Sequence, residues 1–267
     1  MTTTGTATTT GPAPLVTRYV DHVMGMPISL ALRGRHRDDA AARGAWAEAM
    51  AALHDVDRVF STYRPDSHVS RLSRGETTLE ACPPEVAEVL ALGELARQQS
   101  GGAFDVRRGG VLDPSGVVKG WAVERAARPL RVLEGTDFCL SAGGDMVCRT
   151  VDPATPAWRI GVEDPFAPDR VVAVVPVRNG AVATSGTAHR GAHLVDARTG
   201  LVPEAVASVT VVGPDLTWAD IDATAAYAMG PQASGWLATR AGRTGIVVWA
   251  DGRVETVASP AAPGRPA

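Results

Sequence analysis

Residues able to do chemistry crowd into one stretch of this chain, His193-Leu-Val-Asp-Ala-Arg-Thr-Gly200, followed closely by Asp220-Ile-Asp-Ala-Thr224. His193 offers a proton acceptor that titrates near neutrality. Arg198 offers a planar guanidinium suited to phosphate. Asp220 and Thr224 stand four apart in a segment that reads as helix, so their side chains project from one face. A carboxylate and a hydroxyl so placed suit Mg²⁺, a hard cation usually held by few protein oxygens plus substrate phosphates. The first expectation is metal-assisted chemistry on a phosphorylated substrate. Quieter readings stand beside it. Thr217-Trp-Ala-Asp220 fits a capping box, in which Asp220 would only satisfy backbone amides. A single histidine on an apolar strand is more often structural than catalytic, and Arg198 also reads as a solvated loop arginine. Should His193 not be the base, Asp196 and Asp222 are the neighbouring carboxylates.

The elements that must position these groups follow from periodicity. Val16–Val23 and Met26–Arg33 read as strands. From Asp38 to Phe60, Trp46, Met50, Leu53, Val56 and Phe60 recur at helical spacing. Pro84 opens a second helix that ends near Gly101-Gly102, with Pro at the start and Gly after the end. A third is expected from Lys119, weakening at Pro129. Beyond Phe138 the pattern becomes short β-rich runs (138–142, 157–162, 171–177, 205–213, 244–249), interrupted by a helix over 217–229 and a shorter one near 231–241. The most apolar run, Val171–Val177, reads as a buried strand and is far too short to span a bilayer. Strands and helices do not alternate strictly, so the fold class is α+β, in layers, and not a doubly wound sheet. No GxGxxG, GxxxxGK[ST] or GxSxG occurs, which removes the usual dinucleotide, P-loop and hydrolase readings.

Composition sets further bounds. With 267 residues and 45% hydrophobic content, the chain can bury one large core without staples. Its 26 cations against 29 anions give a net charge of −3, which argues against a nucleic-acid surface. All but one of those cations are arginine; the sole lysine is Lys119. Cys82, Cys139 and Cys148 form no metal-ligand spacing, and their odd number argues against a disulfide framework. Residues 1–14 and 258–267 read as disordered tails around a single domain over 15–257. The Thr-rich start carries no export signal, so the expected location is cytoplasmic.

The remaining motifs run in order: Met24-Gly25; Phe60-Ser-Thr-Tyr63; Gly101-Gly-Ala-Phe-Asp105; Asp113-Pro-Ser-Gly-Val-Val-Lys-Gly120; Ser141-Ala-Gly-Gly-Asp145; Ala183-Thr-Ser-Gly186; then the His193 and Asp220 segments. In this order they resemble the ApbE family, the FAD:protein FMN transferases, over roughly residues 18–257. The resemblance implies an ApbE-like, T-fold-like arrangement of sheets and helices in two closely packed lobes, and not a Rossmann fold. It implies that FAD is bound by Met24, Ala103, Phe104, Asp105, Asp113, Lys119, Leu194 and Arg198. Mg²⁺ would be held by Asp220, Thr224 and the backbone carbonyl near Gly116. His193 would be the general base that readies a Ser or Thr hydroxyl of an acceptor flavoprotein for attack on the FAD pyrophosphate, releasing AMP. The role of Asp145 stays open, since Gly-Gly-Asp also forms plain turns between strands. Three positions depart from the family's pattern. Only seven residues separate Asp105 from Asp113, Met26 stands where Thr is usual, and Ala197 replaces the proline of H-x-x-D-P-x-T-G. Two alternatives remain: an FAD pyrophosphatase yielding FMN and AMP, and a flavin-binding protein without catalysis.

Overall fold

The computed structural model describes residues 15–186 and 194–260. One eight-stranded sheet carries it, all antiparallel, and the strands lie side by side in their order along the chain. These are β1 (Thr17–Val23), β2 (Met26–Gly34), β5 (Thr136–Ala142), β6 (Asp145–Arg149), β9 (Gly180–Gly186), β10 (Val206–Gly213), β11 (Thr244–Trp249) and β12 (Val254–Ala258). Two excursions leave the sheet as hairpins, β3 (Arg107–Arg108) with β4 (Val111–Leu112), and β7 (Trp158–Asp164) with β8 (Ala167–Val177). The helices are α1 (Ala40–Phe60), α2 (His68–Ser73), α3 (Pro84–Gln99), α4 (Ser115–Ala126), α5 (Arg128–Arg131), α6 (Leu216–Ala228) and α7 (Ala233–Leu237). The layered α+β expectation holds, and a sheet with no parallel pair excludes the Rossmann alternative.

Helix α1 opens where Asp39 accepts the Ala42 amide, and its buried stripe includes Met50, Leu53, Val56 and Phe60. Phe60 meets Trp121 of α4 edge to face, with ring centroids 5.5 Å apart. Helix α6 is apolar nearly all round, which marks a helix enclosed by neighbours. It packs on α4 and against β9 and β10. That burial puts Asp220 and Asp222 out of reach of water, so each must find a cation or donors inside the protein.

Several expectations are corrected. The third helix starts at Ser115, four residues before Lys119, with Pro114 at its N-cap and the Asp113 side chain accepting the Ser115 amide. Pro129 does not merely weaken that helix; it opens the short α5. The N-cap of α6 is Asp215, which accepts from the Trp218 amide, so Thr217 caps nothing and Asp220 stands inside the helix. Val171–Val177 belongs to a two-stranded arm instead of the central sheet. Val171 is 58% exposed and Val174 43%, while Val177 packs with Cys148, Ile160 and Val182 on the outer face of the sheet. A run of β-branched residues records strand propensity, and here that propensity is spent on an arm with one open side. Among the described residues no helix is long and apolar enough to cross a membrane.

Candidate active site

A cleft of about 1000 Å³ opens at one end of the sheet. Its floor is made where α4 and α6 meet. Lys119 Nζ lies between two carboxylates, hydrogen-bonded to Asp145 and 3.1 Å from Asp220 Oδ1. Asp145 opens β6 immediately after the Gly143-Gly144 turn, and its other oxygen accepts the Thr184 amide at 2.9 Å. Asp220 Oδ2 accepts the Gly120 amide at 2.9 Å. In an undistorted α-helix that amide would bond the Gly116 carbonyl, so Asp220 competes for the donor the helix assigns to Gly116. Asp220 Oδ1 is buried and meets the Lys119 ammonium as an ion pair.

Charge explains the chemistry available here. Two carboxylates and one ammonium leave the floor one negative charge in excess. Burial pushes the Asp220 carboxyl up to about 7, opposed by the Lys119 ammonium and reinforced by Asp145. Burial by itself would lower Lys119, but Asp220 and Asp145 outweigh it and hold the ammonium above its usual range. A second cation is the alternative to protonation. One turn along α6, Thr224 Oγ1 lies 3.0 Å from Ser185 Oγ of β9. Asp220, Thr224 and Gly116 all line the cleft. Among the described residues no group of three or more His, Cys, Asp or Glu could hold a metal.

Two glycines make the floor possible. A Cβ on Gly116 would meet the Phe104 ring at 2.9 Å. One on Gly120 would meet Leu216 O at 2.6 Å and Asp220 Cβ at 2.7 Å. Spaced four apart on α4, they let Phe104 and α6 approach its backbone. Gly120→Ala should therefore destabilise the protein by about 1–3 kcal/mol through overpacking. Helix propensity alone forecasts the opposite, a gain of up to about 1 kcal/mol. The urea midpoint of the variant separates the two, and a rise above wild type overturns the contact argument.

Of the predicted site residues, Ala103, Phe104, Asp105, Asp113, Gly116, Lys119, Leu194, Asp220 and Thr224 all line this cleft. The Ala197 amide donates to the Ala103 carbonyl at 3.0 Å, tying the 194–200 loop to the Gly102–Asp105 segment. Met24 is placed differently. With φ +56° it forms the β1–β2 turn beside Gly25 and packs partly on the core, while Gly25, Met26 and Pro27 face the cleft. Arg198 is held by Asp196 through three contacts, Nη2 to Oδ2 at 2.7 Å, Nε to Oδ1 at 2.9 Å and Nε to Oδ2 at 3.1 Å, outside the lining. That pair keeps the Asp196 carboxyl below its usual range. Asp222 points away to Arg240 at 3.0 Å and Arg243 at 2.7 Å, so neither it nor Asp196 is a free base. His193 lies outside the described residues.

The lining also includes residues that sequence reasoning did not assign. Ser185 belonged to a quoted motif, Ala183–Gly186, and Asp145 to another. Ser208, Met146 and the arm residues Gly161, Glu163 and Pro165 carried no signal, since only the fold brings them to the cleft.

The site is thus an anionic floor within a large cleft, set in an antiparallel α+β protein. Its family is shown by comparison: the chain matches the ApbE family over residues 24–113 and 107–248 and belongs to it. The FAD:protein FMN transferase of Haemophilus influenzae is 24% identical over 250 residues, covering 68% of this chain and 72% of that protein. That of Escherichia coli is 26% identical over 151 residues, 53% of this chain and 43% of that protein, so this second match spans under half of the relative's length. Among solved structures, the ApbE protein of Thermotoga maritima superposes with a TM-score of 0.79 at 20% identity, over 91% of this chain and 97% of that one. The apo flavinyl transferase ApbE of Pseudomonas stutzeri gives 0.76 at 22% identity, over 92% and 96%. These last two carry the fold.

Proposed function

We propose that this protein transfers the FMN half of FAD onto a Ser or Thr hydroxyl of an acceptor protein and releases AMP. The observation that carries the reading is the cleft floor, where Lys119, Asp145 and Asp220 leave a buried negative charge in a lining that includes Thr224 and Gly116. The names of the curated relatives agree with it. The cleft's volume stands at the upper end of the roughly 300–1,000 Å³ usual for small-molecule sites, as a dinucleotide requires.

Asp220, Thr224 and the Gly116 carbonyl would hold Mg²⁺, which there offsets charge on phosphate oxygens. Lys119 and the Gly120 amide hold Asp220 in place. Gly102–Asp105 and Asp113 border the dinucleotide. His193 takes the proton of the acceptor hydroxyl. The freed oxygen bonds the phosphorus of the FMN half, and the bond from that phosphorus to the bridging oxygen breaks. AMP carries away the electron pair.

The test incubates the full chain with FAD, Mg²⁺ and the proteins encoded beside it, and reads AMP together with intact mass. A neighbour gaining the mass of FMN less water, with one AMP per addition, is the expected result. AMP without a mass change makes water the acceptor and the activity a pyrophosphatase. No AMP with any neighbour overturns both and leaves a flavin-binding protein.

A further inference from the structure

Among the described residues three buried side-chain atoms have neither a hydrogen bond nor an ion-pair partner, His68 Nδ1, Ser208 Oγ and Ser234 Oγ, and of these residues Ser208 lines the cleft. Ser208 has no part in the anionic floor. It stands on β10, is only 5% exposed, and faces Gly186 of β9 across the ladder. The other hydroxyls lining this end of the cleft are satisfied, Ser185 by Thr224 at 3.0 Å and Thr184 by Thr210 at 2.9 Å. An unpaired buried hydroxyl is a net cost to the fold, and protein cores seldom retain one without use.

Gly186 makes the same point from the other strand. A Cβ there would meet the Ala207 carbonyl at 2.9 Å and Ser208 Cβ at 3.1 Å. Gly186 thus marks a close approach of β9 to β10 beside the unanswered hydroxyl, and both residues line the cleft.

We propose that the Ser208 hydroxyl is a specificity-determining contact, hydrogen-bonded to an uncharged polar group of the bound dinucleotide beside Gly186. A hydroxyl can donate and accept, so a ring carbonyl, a ring N–H or a sugar hydroxyl would each complete it. This rests on FAD being the occupant, as proposed above. Ligand binding then relieves a defect that the empty protein tolerates.

The consequence is a variant whose two readouts move in opposite directions. In Ser208→Ala the orphan is gone, so the melting temperature of the ligand-free protein stays level or rises. Its FAD dissociation constant, by calorimetry on the full chain, rises about tenfold, equivalent to about 1.4 kcal/mol. Repeating the titration with FMN and with AMP shows which half loses the contact, and one of them is expected to weaken by a similar factor. Ser208→Cys keeps the size with a much weaker donor and is expected to lose affinity as well, so it carries the comparison should the alanine variant not fold. FAD bound equally by wild type and both variants overturns the inference while the proposed function stands. A lower melting temperature with unchanged FAD affinity does the same, making the hydroxyl structural. Failure of the wild type to bind FAD overturns the functional reading itself, and this contact with it.

Discussion

Asp220→Asn is expected to lower Mg²⁺-dependent AMP release at least a hundredfold while leaving the protein as stable as wild type or more so. The amide keeps the shape of the side chain and can still accept the Gly120 amide, so the α4–α6 contact survives. What is lost is charge. The floor goes from one excess negative charge to neutrality, with Lys119 balanced by Asp145 alone. Relief of an uncompensated buried charge favours the fold. Residues that only orient metal ligands are worth about 10–100-fold, so removing a ligand should cost at least as much. The shift in melting temperature on adding Mg²⁺ without flavin gives a readout independent of turnover, and it should vanish in the variant. A helix-capping role predicts the reverse pattern, a stability loss of about 0.5–2 kcal/mol with metal dependence retained. The N-cap at Asp215 already argues against capping. Activity restored at saturating Mg²⁺ would remove Asp220 from the ligand set.

His193→Ala should lower the rate by about 10²–10⁴, the range usual for loss of a general base, with FAD affinity within a few-fold of wild type. The deficit should shrink as pH rises, because a hydroxyl nearer its own ionisation needs less help. The pH profile matters more than the rate at a single pH, since a merely structural histidine would lower the rate uniformly. The rescue carboxylates that sequence suggests are both engaged elsewhere, Asp196 by Arg198 and Asp222 by Arg240 and Arg243. No nearby group among these is positioned to substitute. Outright loss of FAD binding in the variant would make His193 a ligand contact and leave the base unassigned.

Spacing made Asp220 and Thr224 legible in the sequence, because a helix places residues four apart on one face whatever surrounds it. Lys119 and Asp145 were visible as motif members, but their partnership was not. They are 26 residues apart and meet only because the β5–β6 turn returns the chain to α4. The reason for Gly120 was hidden in the same way, since it depends on how closely α6 approaches. Strands β6, β9 and β12 escaped notice because they are short and mix polar or small residues into the alternation. β8 failed oppositely, with an apolar run longer than its burial warrants. Local rules see propensity; they do not see which layer an element joins.

The order of strands in the sheet has a kinetic corollary. The strands keep their chain order in the sheet, and three tight hairpins can zip locally, β1 with β2, β5 with β6, and β11 with β12. Loop closure for such pairs is inexpensive and early. The cleft floor obeys a different schedule. Its contacts span 26, 39 and 100 residues, from Lys119 to Asp145, from Asp145 to Thr184, and from Gly120 to Asp220, and no single hairpin contains more than one participant. The site thus comes into being only on docking of hairpins with helices, at the end of folding. A partly assembled chain has strands but no cleft, and a ligand that bridges the floor draws that last docking step forward by mass action.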